Sequence, residues 1–213
     1  MIADEGKIII KPVLFLFIIT LGYYNINPSG ILYWVNLVLF IFFIFILYFF
    51  REPKRLIQCY SRFLSPADGK IIQITDIEDE DLGKAKQISI FLSIFNVHSQ
   101  RVPFTGKVIS KSYNPGRFHL AFNNKTSKYN EHTSVLFETD NGQKYKVKQI
   151  AGFIARRIIN YMIPNERVEI GDRLGFIRFG SRVEIILPQN FIMEVRIGDR
   201  VKGNISAIGR FNL

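Results

Sequence analysis

The 213-residue chain has a single cysteine, Cys59, which excludes an internal disulfide and any multi-thiolate metal site. Its three histidines, His98, His119 and His132, leave little room for a conventional zinc site, and no metal is expected. Acidic residues are scarce beside basic ones, 18 against 28, for a formal net charge of +10. No aromatic-basic RNA motif and no helix-turn-helix pattern accompanies that excess, so nucleic acid is not the expected partner. Apolar residues are not scarce. They make up 48% of the chain, which excludes a mainly disordered protein.

Charge is missing altogether from residues 31–50, ILYWVNLVLFIFFIFILYFF, where Asn36 is the one strongly polar side chain. A helix of that length reaches about 30 Å, enough to cross a bilayer core. Tyr33, Trp34 and Tyr48 sit near its ends, where interfacial aromatics are favoured. A shorter uncharged stretch, 13–24, is extended by Ile8 to Ile10 across Lys11 and Pro12. It can span, re-enter or lie in the interface. YYNINPSG at 23–30 reads as a turn between the two. No small-x-small cleavage site follows the first stretch, which argues against a signal peptide. Lys7 and Lys11 precede the pair, and Arg51, Lys54 and Arg55 follow it. Basic residues at both outer ends predict a cell (inner) membrane anchor, residues 1–50, with the remainder in the cytoplasm.

Residues 51–213 hold 26 basic and 16 acidic residues, so the whole charge excess lies outside the apolar segments. Beside an anionic leaflet each basic residue near the surface attracts the domain by about 1 kcal/mol. An anionic membrane surface is therefore an expected partner. Short Ile- and Val-rich segments, at 69–75, 87–93, 106–110, 134–138, 144–149 and 182–187, predict strands separated by Gly, Pro, Asn and Asp. IAGFIARRII at 150–159 reads as a strand end followed by helical turns. The expected fold class is mainly β, a sandwich or barrel-like hybrid, preceded by a transmembrane helix or helical hairpin. Two internal repeats suggest pseudo-symmetry: SPADGKI with VPFTGKV, and VEIGDRLGFI with VRIGDRVKGNI.

Three places can carry chemistry. Asp68, in SPADGK, lies in a Pro-Gly turn at a strand entrance; on composition it is a turn residue first. His98, in FNVHSQRVP, follows an apolar run and has polar and basic neighbours, yet a lone histidine is more often a packed core residue. Gly180-Ser181 in RFGSR is ordinary in isolation.

Together and in this order, the segments resemble the phosphatidylserine decarboxylase family, most closely its short bacterial and archaeal form. FFREPKR, SPADGK, FNVHSQRVPFTGKV, YNPGRFHLAF, NEH and RFGSRVEIILP carry the resemblance across about residues 49–213. It implies a self-processing enzyme with a covalent pyruvoyl group made from Ser181. The Ser181 hydroxyl would attack the Gly180 carbonyl, and elimination would divide the chain into 1–180 and 181–213. The pyruvoyl group would form a Schiff base with the substrate amine while carbon dioxide leaves. By the same resemblance, Asp68 assists self-cleavage and His98 serves decarboxylation. Longer members have a second histidine where this chain has Arg101, which leaves the cleavage base open. Arg101 and Arg182 are candidates for binding substrate phosphate or carboxylate. His119 and His132 are expected to be structural or surface residues.

The implied partners are phosphatidylserine and the two chains themselves, as a heterodimer with room for a higher homo-oligomer. Two other readings remain: a decarboxylase of another serine lipid, for instance ether-linked, and a non-catalytic membrane-tethered module that binds lipid.

Overall fold

The computed structural model describes residues 1–116, 130–152, 158–178 and 181–212. They form two compact units, Met1–Lys54 and Arg55–Leu213.

The first unit is a helical hairpin of α1 (Asp4–Ile26) and α2 (Gly30–Phe49). Both helices are long and apolar enough to cross a membrane. The shorter apolar stretch is thus one helix, and the turn narrows to 27–29, because Tyr23 to Ile26 continue α1. Ser29 caps α2 by accepting the Leu32 N–H. Asn36 is explained by its partners. Its side chain donates to the Leu32 carbonyl and accepts the Thr20 hydroxyl of α1 at 2.9 Å. A polar residue among apolar ones is thereby satisfied across the two helices.

The second unit is mainly β. The six strands read from the sequence are all present and longer than expected. They are β2 (Gly69–Asp79), β3 (Gly83–Leu92), β5 (Gly106–Asn114), β6 (His132–Glu138), β7 (Lys144–Ala151) and β11 (Ser181–Pro188). Eight shorter strands were not legible: β1 (Phe63–Leu64), β4 (Ser99–Arg101), β8 (Ile158–Asn160), β9 (Arg167–Val168), β10 (Arg173–Ile177), β12 (Ile192–Met193), β13 (Arg200–Val201) and β14 (Ala207–Arg210). Seven of them hold two to four residues, too few for alternation to register, and five-residue β10 is buried continuously from Leu174 to Ile177 and so does not alternate. The helical turns expected within 150–159 fall mainly on 153–157, outside the described residues, and Ile158–Asn160 is strand.

The strands form one curled eight-stranded sheet, β13-β2-β3-β11-β7-β6-β5-β9, and two small sheets, β1-β14-β12 and β4-β10-β8. This order is its own mirror about the β11–β7 pair. Leu64 N–H donates to Pro103 O at 3.0 Å, and Arg101 N–H donates to Pro66 O at 2.9 Å. Both partners are shifted by the 37 residues that separate SPADGK from VPFTGK, so the first sequence repeat is a structural pseudo-dyad. Each repeat supplies one glycine that opens a long strand. A Cβ on Gly69 would meet Phe91 O, and one on Gly106 would meet Glu138 O, each at 2.4 Å. The second repeat recurs as a turn. Gly171 and Gly198 both have positive φ, and Asp172 and Asp199 each accept the N–H three residues back. Its two copies sit at different places in the two halves. Val108 pairs with Asn165 and Glu166, as Ile71 pairs with Gly198 and Asp199.

The core gathers one face of the sheet and the small sheets around Phe63. Its ring meets Tyr145, Phe191 and Phe211 edge-on at 5.1–5.8 Å. The opposite face of β11 is also buried, with Arg182, Glu184 and Ile186. On that face of β7, Lys146 forms ion pairs with Asp79 and Asp81 at the end of the β2–β3 hairpin. Burial pushes the Asp79 carboxyl up, but the Lys146 hydrogen bond, backbone N–H groups and the Lys146 charge outweigh it and hold it below its usual range. Burial likewise lowers Lys146, and the two carboxylates more than reverse this. Asp79 therefore adds stability above its unfolded-state pKa, and loses it as pH falls through the depressed one. Lys146 adds stability below its unfolded-state pKa, and loses it as pH rises through the raised one. Lys146→Met is expected to destabilise by about 2 kcal/mol, less than a fully buried pair because Asp81 is partly exposed. Melting curves should show the difference from wild type widest near neutral pH and shrinking in both acid and alkali.

Candidate active site

Symmetry breaks at one end of the central strands. In the second half, β6 and β7 are joined directly through 139–143. Their counterparts in the first half, β3 and β11, are separated by the entire second half. The chain leaves β3 at Leu92 and returns at Ser181, which pairs with Leu92 on one side and Ala151 of β7 on the other. Outgoing and returning segments are stitched together, since Ile177 N–H donates to His98 O at 3.3 Å. Gly180 lies outside the described residues, and Ser181 is described by its backbone alone.

His98 is fully buried on the outgoing segment. The local sequence explains its setting. Asn96 accepts the Ser93 N–H and hydroxyl with its side chain and closes the turn after β3. Its backbone carbonyl lies 2.9 Å from His98 Nδ1. A carbonyl only accepts, so Nδ1 carries the proton, and in the neutral ring Nε2 holds the lone pair. The Phe176 ring packs 6.4 Å away. Behind His98 runs a chain of amides. Gln100 donates to His98 O at 2.8 Å, Gln149 to Gln100 at 2.9 Å, and Asn160 to Gln149 at 2.8 Å. Gly175 admits this chain: a Cβ there would sit 2.2 Å from Ile159 O and 2.6 Å from Gln149 Nε2.

Asp68 stands at the mouth of β2. Lys70 pairs with Phe91 and Ser181 with Leu92, so the starts of β2 and β11 lie level with β3 between them. Two strand spacings separate them, about 10 Å. The Asp68 carboxylate receives Arg55 on both oxygens, and Gly203 N–H donates to Oδ1 at 2.9 Å. Its counterpart in the second repeat is Thr105, so only one half supplies an acid at this position. Arg101 donates from Nη1 to Gly171 O at 3.4 Å.

Arg182 lies one residue beyond Ser181, with its guanidinium buried. Nη1 reaches Glu184 Oε1 at 3.4 Å, while Nε and Nη2 meet no partner among the described residues. His132 opens β6 half-buried, with Nδ1 against Asn130 O. His119 falls outside the described residues.

The family model described as phosphatidylserine decarboxylase matches residues 42–208. The chain belongs to the phosphatidylserine decarboxylase family. As such it is an enzyme, a decarboxylase. The phosphatidylserine decarboxylase proenzyme of Desulfotalea psychrophila is 44% identical over 169 residues, covering 78% of this chain and 79% of its own length. That of Amoebophilus asiaticus is 39% identical over 216 residues, covering 98% and 96%. That of Rickettsia typhi is 44% identical over 178 residues, covering 81% and 77%.

The region matching the phosphatidylserine decarboxylase family holds Asp68, His98, Arg101, Gly180, Ser181 and Arg182. The structure puts Ser181 at the start of β11 and His98 on the segment that leaves β3, with Asp68 at the start of β2 on the other side of β3 from β11. Sequence reading missed Gln100, Gln149 and Asn160 behind His98, and Gly203 beside Asp68. Amides and glycines scattered over 100 residues carry no local signature.

Proposed function

We propose that this protein is a pyruvoyl-dependent phosphatidylserine decarboxylase that cleaves itself between Gly180 and Ser181 and forms phosphatidylethanolamine. The observation that carries this reading is the position of Ser181. It opens the central strand β11, level with the end of β3, where the segment bearing His98 departs.

A pyruvoyl group at Ser181 fits this chain for a structural reason. Cleavage there leaves β11 paired over eight positions with β3 and six with β7. The new chain end would stay fixed in the middle of the sheet. Residues 181–213 also supply Phe191, Val201, Ile208 and Phe211 to the core. Bound in this way, the pyruvoyl carbonyl supplies the electron sink that lets a carboxylate leave as carbon dioxide.

The chain's own residues do the rest. His98 is held through Nδ1, so Nε2 is the atom that accepts or delivers a proton. Asp68 assists self-cleavage. Arg182 carries two donor nitrogens, Nε and Nη2, without described acceptors, a costly arrangement for a buried guanidinium that an anion would relieve. Arg182 and Arg101 are the groups assigned to the phosphate and carboxylate of the substrate. The apolar hairpin holds the domain at the cytoplasmic face of the cell membrane, where the substrate head group lies, and the basic excess of residues 51–213 favours an anionic leaflet.

Mass measurement tests this reading. Purified protein is expected to contain chains 1–180 and 181–213, the shorter lacking a free amino terminus. The two should elute together under native conditions and separate only on denaturation. Vesicles of ester-linked phosphatidylserine should release carbon dioxide. Release from an ether-linked serine lipid alone would change the substrate but keep the chemistry. An intact chain with unmodified Ser181 would overturn the reading in favour of a lipid-binding module.

A further inference from the structure

Arg55 stands out because it is spent on Asp68. Its Nη1 and Nη2 donate to Oδ1 and Oδ2, the latter at 2.8 Å, in a fork-to-fork ion pair. Nη1 also donates to Gly203 O at 2.9 Å. Gly203 returns its own N–H to Asp68 Oδ1 at 2.9 Å, so Arg55, Asp68 and Gly203 close a ring of hydrogen bonds. The pair is largely buried, with side-chain exposures of 16% and 10%. A planar guanidinium meeting both carboxylate oxygens fixes the carboxylate plane as well as its position, which a lysine cannot do.

The carboxylate has about four acceptor sites, and Arg55 and Gly203 fill three of them. Among the described residues, the site left open is on Oδ2. Asp68 is also braced from behind. The turn that carries it is tied by Ser65 Oγ to Ala67 O at 2.7 Å, and by Asn204 N–H to Ser65 O at 3.1 Å. The backbone is therefore already placed, and what Arg55 adds is the direction of the acid.

We infer that Arg55 is a positioning residue for self-cleavage, aiming the open lone pair of Asp68 Oδ2 toward the group that Asp68 assists. This rests on the role of Asp68 in self-cleavage proposed above. In this inference Arg55 acts through Asp68, not on the scissile bond or the substrate.

The test follows conversion of precursor to two chains in full-length protein synthesised cell-free with lipid vesicles. Arg55→Gln is expected to slow conversion about tenfold or more, in line with loss of a charged hydrogen-bond pair. Arg55→Lys, which keeps the charge but not the fork, should fall between Arg55→Gln and wild type. In an Asp68→Glu background, where the carboxylate is already displaced, Arg55→Gln should slow conversion far less than in wild type. Equal slowing in both backgrounds would mean that Arg55 only supports the fold and would overturn the inference. Wild-type conversion by Arg55→Gln, with Asp68→Asn blocked, would overturn it while leaving Asp68 in its role. Normal conversion by Asp68→Asn would remove the role of Asp68 itself, and the inference with it.

Discussion

Ser181→Ala is expected to leave the chain in one piece and without decarboxylase activity. In the proposed cleavage the Ser181 oxygen attacks the Gly180 carbonyl and then leaves by elimination, and an alanine methyl can do neither. The loss should therefore be complete. The fold should not suffer, because Ser181 is held by backbone strand pairing to Leu92 and Ala151, which alanine makes as serine does. An exposed or buried methyl in place of a hydroxyl changes strand preference by under about 1 kcal/mol. A denaturing gel gives the readout, and a melting curve confirms that the unprocessed protein is folded. Two chains from Ser181→Ala would place the cleavage elsewhere and sink the proposed cofactor.

The second large effect is expected from His98→Asn. The asparagine amide can still donate to Asn96 O from nearly the position of Nδ1, so the turn after β3 should hold. What disappears is Nε2, the atom assigned to proton transfer. A positioned acid or base contributes about 10²–10⁴-fold. Decarboxylation per cleaved molecule should fall by that factor, with cleavage itself still occurring. The measurement is carbon dioxide release normalised to the amount of the 181–213 chain. A near-normal rate would reduce His98 to a packed core histidine. Loss of cleavage as well would give His98 a part in self-cleavage too, the role that the resemblance leaves open at Arg101.

Much of this protein can be read before any coordinates are seen. Residues 31–50 declare a membrane-length helix by lacking charge. The six long strands appear through alternation over five residues or more. The motifs around Asp68, His98 and Ser181 identify the family because several agree in one order. Each of these signals is local. Even the pseudo-dyad is visible in part, since Pro-x-x-Gly-Lys needs its glycine for the same reason in both copies: a neighbouring carbonyl leaves no space for a Cβ.

Other readings from sequence went only part of the way. The shared Ile-Gly-Asp-Arg is a true repeat of turn geometry but not of position, because Gly-Asp serves any tight turn of this type. Arg182 looked like a strand residue or an anion ligand. Burial on the face away from the core, with Glu184 beside it, could not be inferred from alternation.

The sequence by itself determined the membrane-length apolar helix, the main strands and the family, and it singled out Ser181 as the residue of the proposed chemistry. These depend on composition, period and short motifs. Only the tertiary structure decided which residues meet: Arg55 with Asp68 and both with Gly203, Gln149 with Gln100, and Ser181 with the end of β3. Arg55 and Gly203 are 148 positions apart. Such pairs are set by how the sheet curls and how one half of the chain is inserted into the other, and no local pattern records that.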